Sequence, residues 1–159
     1  MDKRMVPWEE IHACCRSIVE QVKHQNITSI IGLGRGGLIP ATIIANSLGV
    51  QKVYNIGAFS YKNIIRQETL MVYQYVPKDI SIGNDMVLIV DDLVDSGKTL
   101  KQLADDFKLC KFRTATLYVK PSSVFWPDYH AIKVENNEWL VFPWEIDAPS
   151  AEPSSSSNS

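Results

Sequence analysis

Apolar residues in this chain come in short bursts, separated by glycine turns and polar loops. Near the start, Trp8, Ile11, Cys15, Ile18 and Val22 recur at steps of three and four. That spacing lays one apolar stripe along a helix over residues 7–24. Pro7 suits a first helical turn. Glu9 and Glu10 fall near the positive end of the helix dipole, and Lys23-His24 near the negative end. Trp8 reads as core or interface. Ile27–Leu33 is a continuous apolar run, as in a strand buried on both faces. It enters Gly34-Arg35-Gly36-Gly37, and a helix is predicted over Leu38–Leu48, closed by Gly49. Val53–Phe59 predicts the next strand. Ser60–Thr69 is polar, and Leu70–Val76 alternates weakly and returns as a strand. Met86–Val90 is again a buried strand, followed by a helix over Leu100–Phe107. Phe112–Val119 predicts a strand ending at Lys120-Pro121, and Ala131–Val134 a short one. The order implies an α/β fold, a largely parallel sheet with helices on both faces.

Composition narrows the class. At 159 residues one domain is expected. Residues 1–147 carry the pattern, whereas 148–159 are rich in Pro and Ser and predict a disordered tail. Net charge is −2 and no basic block occurs, which argues against a nucleic-acid partner held through phosphates. No apolar run reaches membrane-spanning length, and MDKRMVPWEE has no apolar signal region. Cys14, Cys15 and Cys110 lack metal-ligand spacing and read as free thiols of a reducing, cytoplasmic compartment.

The chemistry concentrates in Met86–Thr99, MVLIVDDLVDSGKT. A strand runs into the carboxylates Asp91 and Asp92, then Asp95, then Ser96-Gly97-Lys98-Thr99 at a helix start. Backbone N–H groups and hydroxyls at a helix N-terminus suit a phosphate. The acids beside them suit Mg²⁺ or sugar hydroxyls. A nucleotide P-loop is excluded, because Asp92 stands where that motif needs glycine. The turn Gly34-Arg35-Gly36-Gly37 offers close backbone approach and a cation for a second anion. Both segments follow strand carboxyl ends, so both anion seats are expected on one cleft.

Val87–Thr99 resembles the phosphoribosyl pyrophosphate signature of the type I phosphoribosyltransferases. Arg35-Gly36-Gly37-Leu38, Ser60-Tyr61, Val90–Thr99, Lys120-Pro121 and Trp139 with Pro143-Trp144 together resemble that family's bacterial xanthine-guanine branch. The likeness spans roughly residues 30–147. It implies the family's fold, with a small hood and a flexible loop between the strands on either side of Ser60–Thr69. It also implies transfer of a 5-phosphoribosyl group from phosphoribosyl pyrophosphate to N9 of guanine, xanthine or hypoxanthine, with Mg²⁺.

By the resemblance, Gly34, Arg35, Gly36, Gly37 and Arg66 meet the pyrophosphate, with Gly34 standing where the family has Ser. Asp91 and Asp92 meet the ribose hydroxyls and the metal. Ser96, Gly97, Lys98 and Thr99 hold the 5′-phosphate, and Asp95 faces purine N7. Lys120 meets the 6-oxo group: a cation donates to an oxo group and rejects the amino group of adenine. Trp139 stacks on the base, Leu140 offers backbone groups, and Glu145, where the family has Asp, lies near the 2-position. Trp144 reads as core packing. A homodimer or homotetramer is expected. The rival reading is a non-catalytic nucleotide-binding regulator on the same fold. Lys120, Trp139 and Asp95 argue against it, since a regulator needs no base-side chemistry.

Overall fold

The apolar runs assemble into a six-stranded sheet in the computed structural model, which describes residues 2–62, 64–65, 67–80, 85–107 and 111–149. In chain order the elements are β1 (Asp2–Met5), α1 (Trp8–Val22), β2 (Ile27–Leu33), α2 (Gly34–Leu48), β3 (Lys52–Lys62) and β4 (Glu68–Gln74). They continue with β5 (Met86–Val94), α3 (Lys98–Asp106), β6 (Phe112–Val119), β7 (Tyr129–Lys133), β8 (Glu138–Val141) and a 3₁₀ turn, Pro143–Glu145. The main sheet runs β4-β3-β2-β5-β6-β7. Its pairs are parallel except β3 with β4, which form an antiparallel hairpin.

The continuous apolar character of β2 and β5 follows from cover on both faces. Successive strand residues point to opposite faces. Ile30 and Leu88 pack with Ile11 and Ile18 of α1 and Ile44 of α2. Their neighbours Ile31 and Ile89 pack with Leu100 and Leu103 of α3. The expected parallel sheet with helices on both faces is therefore present.

Several element boundaries differ from expectation. α2 begins four residues early, at Gly34, because a left-handed Gly34 (φ +61°) turns the chain straight from strand into helix. β5 does not stop at Val90. Its ladder with β6 continues through Asp91↔Thr116 to Val94↔Val119, so the acid pair lies on the strand. α3 starts at Lys98 and closes at Asp106. The polar residues after Phe59 pair rather than loop, with Tyr61 opposite Thr69.

A second, two-stranded parallel sheet joins β1 to β8, with Lys3 opposite Trp139 and Arg4 opposite Leu140. Strands of four residues leave too few positions for a period to show. Side chains seat this ribbon on the main sheet. The Arg4 guanidinium donates to both Glu10 oxygens at 2.9 and 3.1 Å and lies 3.4 Å from Glu138. The buried Tyr118 hydroxyl donates to the same Glu10 at 2.6 Å. Phe142 packs on Tyr118 and stacks on Trp144, ring centroids 4.9 Å apart. Half-exposed Trp8 covers Trp144. Trp144 thus packs as expected, and Trp8 closes the cluster from outside.

Cys14 and Cys15 are buried and unpaired, and burial beside Cys14 pushes the Cys15 thiol up to about 12. Cys110, Arg66 and residues 150–159 of the expected tail lie outside the described residues.

Candidate active site

Gly34, Arg35 and Gly36 open α2 at the carboxyl end of β2, and Asp91 and Asp92 ride the adjacent β5. They share one cleft of about 900 Å³ with Thr99 of α3. Glycine is what lets helix and strand approach so closely. A Cβ on Gly36 would overlap the Asp92 carboxylate, and one on Gly37 would overlap the Val90 carbonyl. Arg35 is exposed and makes no ion pair with a described residue.

The acid pair is half-buried at the cleft floor. Asp91 accepts the Asp92 N–H at 2.8 Å, and Asp92 accepts the Leu93 N–H at 2.7 Å. Burial, with the adjacent Asp92 charge second, holds the Asp91 carboxyl well above the ordinary carboxylate range. Burial also raises Asp92. Its hydrogen bonds with Asp91 and the Leu93 N–H oppose that rise, and the Glu145 charge adds to it. Carboxylates that resist ionisation beside one another gain from a cation between them. Among the described residues no three His, Cys, Asp or Glu side chains form a metal cage. Two neighbouring carboxylates open to a cleft are the kind of oxygen donors that a hard cation such as Mg²⁺ takes, with its other oxygens from substrate and water.

Beyond the acid pair the chain reaches Asp95 and the αL N-cap Gly97 (φ +79°). A Cβ on Gly97 would overlap Ser123 Oγ. The Val124 N–H donates to the Ser96 carbonyl at 2.8 Å and the Lys120 N–H to the Val94 carbonyl at 3.0 Å. This stitching carries the buried Lys120 to the exposed Asp95, with Nζ 3.6 Å from Oδ1. Ser96 and Lys98 are exposed.

The remaining expected residues are distributed differently. Trp139 is half-exposed on β8, with the Lys3 ammonium 4.9 Å from its ring centroid, and it does not line the Arg35 cleft. The Leu140 side chain is core, while its backbone lies in the ribbon opposite Arg4. Glu145 lines the cleft of Arg35 and Asp92, where one carboxylate oxygen accepts the Phe142 N–H at 3.0 Å. Its place is set by the tight turn Pro143–Glu145, which folds the side chain back on its own backbone. Phe59 and Tyr73 of the hairpin also wall this cleft, and sequence reasoning missed both. The signal available was Gly57: a Cβ there would overlap the Tyr73 ring.

A glycine turn with an arginine and an acid pair on neighbouring parallel strands defines a class, and the pattern of the phosphoribosyl transferase domain matches residues 7–151. The chain belongs to that family. The xanthine-guanine phosphoribosyltransferase of Idiomarina loihiensis is 33% identical over 151 residues, 93% of this chain and 90% of that protein. The purine phosphoribosyltransferase of Pyrococcus horikoshii superposes with a TM-score of 0.80 at 31% identity, covering 96% of this chain and 100% of the other. The Helicobacter pylori xanthine-guanine-hypoxanthine phosphoribosyltransferase does so at 0.74 and 27%, covering 92% and 96%. The protein is a phosphoribosyltransferase with the expected type I fold, and it groups with the purine salvage enzymes.

Proposed function

We propose that this chain transfers the 5-phosphoribosyl group from phosphoribosyl pyrophosphate to N9 of a 6-oxopurine, giving the nucleoside monophosphate and pyrophosphate. One observation carries the reading: Arg35 and the Asp91–Asp92 pair face a single cleft. An anion seat and a diol or cation seat then lie within reach of one doubly phosphorylated pentose.

In this reading the Arg35 guanidinium and the first amides of α2 take the pyrophosphate and stabilise its growing charge. Asp91 and Asp92 hold the ribose hydroxyls and would hold Mg²⁺, which when bound neutralises charge on the leaving group. Ser96, Gly97, Lys98 and Thr99 receive the 5′-phosphate at the N-terminus of α3. Lys120 donates to purine O6, and Asp95 accepts the N7 proton as N9 attacks. O6 and N7 are neighbouring atoms on a purine, so the adjacency of Lys120 and Asp95 supports this assignment. Trp139 supplies a stacking face. Phe59 and Tyr73 wall the cleft and help exclude water from the reacting sugar.

A homodimer or homotetramer belongs to the same reading, supported by exposed Tyr61 and Met71 on one hairpin. So does a cytoplasmic location, supported by the buried free thiols Cys14 and Cys15. No helix of the described residues is long and apolar enough to cross a membrane.

The deciding assay is pyrophosphate release from phosphoribosyl pyrophosphate and Mg²⁺, with guanine, xanthine, hypoxanthine and adenine in turn. Turnover with the oxopurines and little with adenine is expected. Turnover with adenine alone overturns the base assignment, and none with any base overturns the reading.

A further inference from the structure

Asn55 lies on β3, opposite Gly32 of β2. Its side-chain amide donates to the Gly32 carbonyl at 3.0 Å and to the Gly34 carbonyl at 2.9 Å. Those carbonyls flank Leu33, the N-cap of α2, which offers no capping side chain. Gly34 itself is left-handed, a conformation that glycine permits but does not by itself enforce. A polar side chain from the next strand therefore braces this turn.

The bracing has a direction. Across a trans peptide the carbonyl and the following N–H point opposite ways, and no described peptide is cis. Holding the Gly34 carbonyl toward Asn55 aims the Arg35 N–H away from Asn55. Gly34, Arg35 and Gly36 line the cleft, and Asn55 does not. Two accepting carbonyls also fix which way the Asn55 amide faces, since only its NH₂ end can donate to both. An aspartate there would set acceptor against acceptor.

We infer that Asn55 is a positioning residue for the anion turn. It touches no substrate. It orients the first amides of α2 before the pyrophosphate arrives, so that ordering them costs little on binding. This rests on the assignment of that turn to pyrophosphate.

The test uses the full chain with Asn55→Leu and Asn55→Val. Both lack any donor; Leu is near in size, while Val suits a strand and safeguards folding. Inorganic pyrophosphate with Mg²⁺, then phosphoribosyl pyrophosphate with Mg²⁺, is titrated calorimetrically without purine, and steady-state constants are measured in parallel. Loss of these hydrogen bonds is expected to weaken both pyrophosphate ligands by about tenfold, with the purine KM unchanged. Unchanged pyrophosphate affinity in the folded variants overturns the inference. So does an equal rise in the purine KM, which marks general loosening. A wild-type chain that binds no phosphoribosyl pyrophosphate overturns the functional reading itself, a failure visible before any variant is made.

Discussion

The two halves of the proposed site are built from different material. The pyrophosphate and ribose half is made by the backbone of the Gly34–Gly37 turn, by Arg35, and by carboxylates on β5, all at the carboxyl ends of central strands. Its geometry is set by contacts so close that Gly36 has no room for a methyl group. The base half is assembled from parts distant in sequence. Lys120 and Asp95 meet through a stitched pair of loops, and Trp139 rides a ribbon made from the beginning and near-end of the described chain. The first half sits on central strands that are paired on both sides. The second depends on the Arg4–Glu10–Tyr118 cluster and the Phe142–Trp144 stack to keep its place. In the proposed reading, the sugar phosphate is bound on the central strands and the base on the ribbon, which separates the two tasks physically.

Perturbing each half in turn sharpens that comparison. The largest effect is expected in the base half. Asp95→Asn removes the proton acceptor and should lower kcat by ~10²–10⁴-fold. A variant of unchanged rate, measured by pyrophosphate release, removes Asp95 from that role.

Next come two variants that should split cleanly. Gly36→Ala pushes a methyl group into the Asp92 carboxylate. An overpacking cost of ~1–3 kcal/mol converts to roughly 10–100-fold weaker phosphoribosyl pyrophosphate binding, with the purine KM little changed. Trp139→Ala should do the opposite. A lost stacking contact of ~1–3 kcal/mol per base gives a roughly 10–100-fold rise in purine KM, with sugar-phosphate binding intact. Equal losses of both substrates in either variant would erase the division between the halves.

A smaller effect is expected from Tyr118→Phe, which withdraws a buried hydroxyl from the Glu10 carboxylate. A hydrogen bond to a charged group contributes ~1.5–3 kcal/mol. The thermal midpoint should therefore fall by roughly 3–10 °C. Hydrogen exchange should show the loss first in the β1–β8 ribbon, before the Gly34–Gly37 turn. Uniform exchange throughout would mean the ribbon has no separate seating.

The smallest effect concerns pH. The Asp91 and Asp92 carboxyls hold protons more tightly in the folded chain than in the unfolded one, chiefly through burial. Their contribution to stability is full below the ordinary carboxylate range and is lost as pH rises through the raised values. Without divalent cation, Asp91→Asn should therefore raise the thermal midpoint at about pH 8, by about 2–4 °C per kcal/mol of relieved strain. Mg²⁺ with pyrophosphate should stabilise the wild type more at about pH 8 than at about pH 5. The reverse order in a melting experiment would contradict the charge assignment.

What could be read from the residues alone was the chemistry that is local. Val87–Thr99 places a buried strand, its acids and a glycine-hydroxyl helix start within one short run, and the Gly34–Gly37 turn does the same for an anion. The continuous apolar runs of β2 and β5 come from cover on both faces, and the helical period of α1 from cover on one face, a property written at every third to fourth residue. These determined the fold class and the glycine turn and acid pair that line one cleft. The tertiary structure alone decided the rest. Tyr118 meets Glu10 across 108 positions, β1 finds β8 across most of the chain, and Asn55 reaches back to a turn 21 residues earlier. Glu145 likewise faces Asp92 only because the last turn folds over the cleft. Periodicity records which way a side chain points on its own element, not which distant group waits there, so these partnerships exist only once the sheet has brought them together.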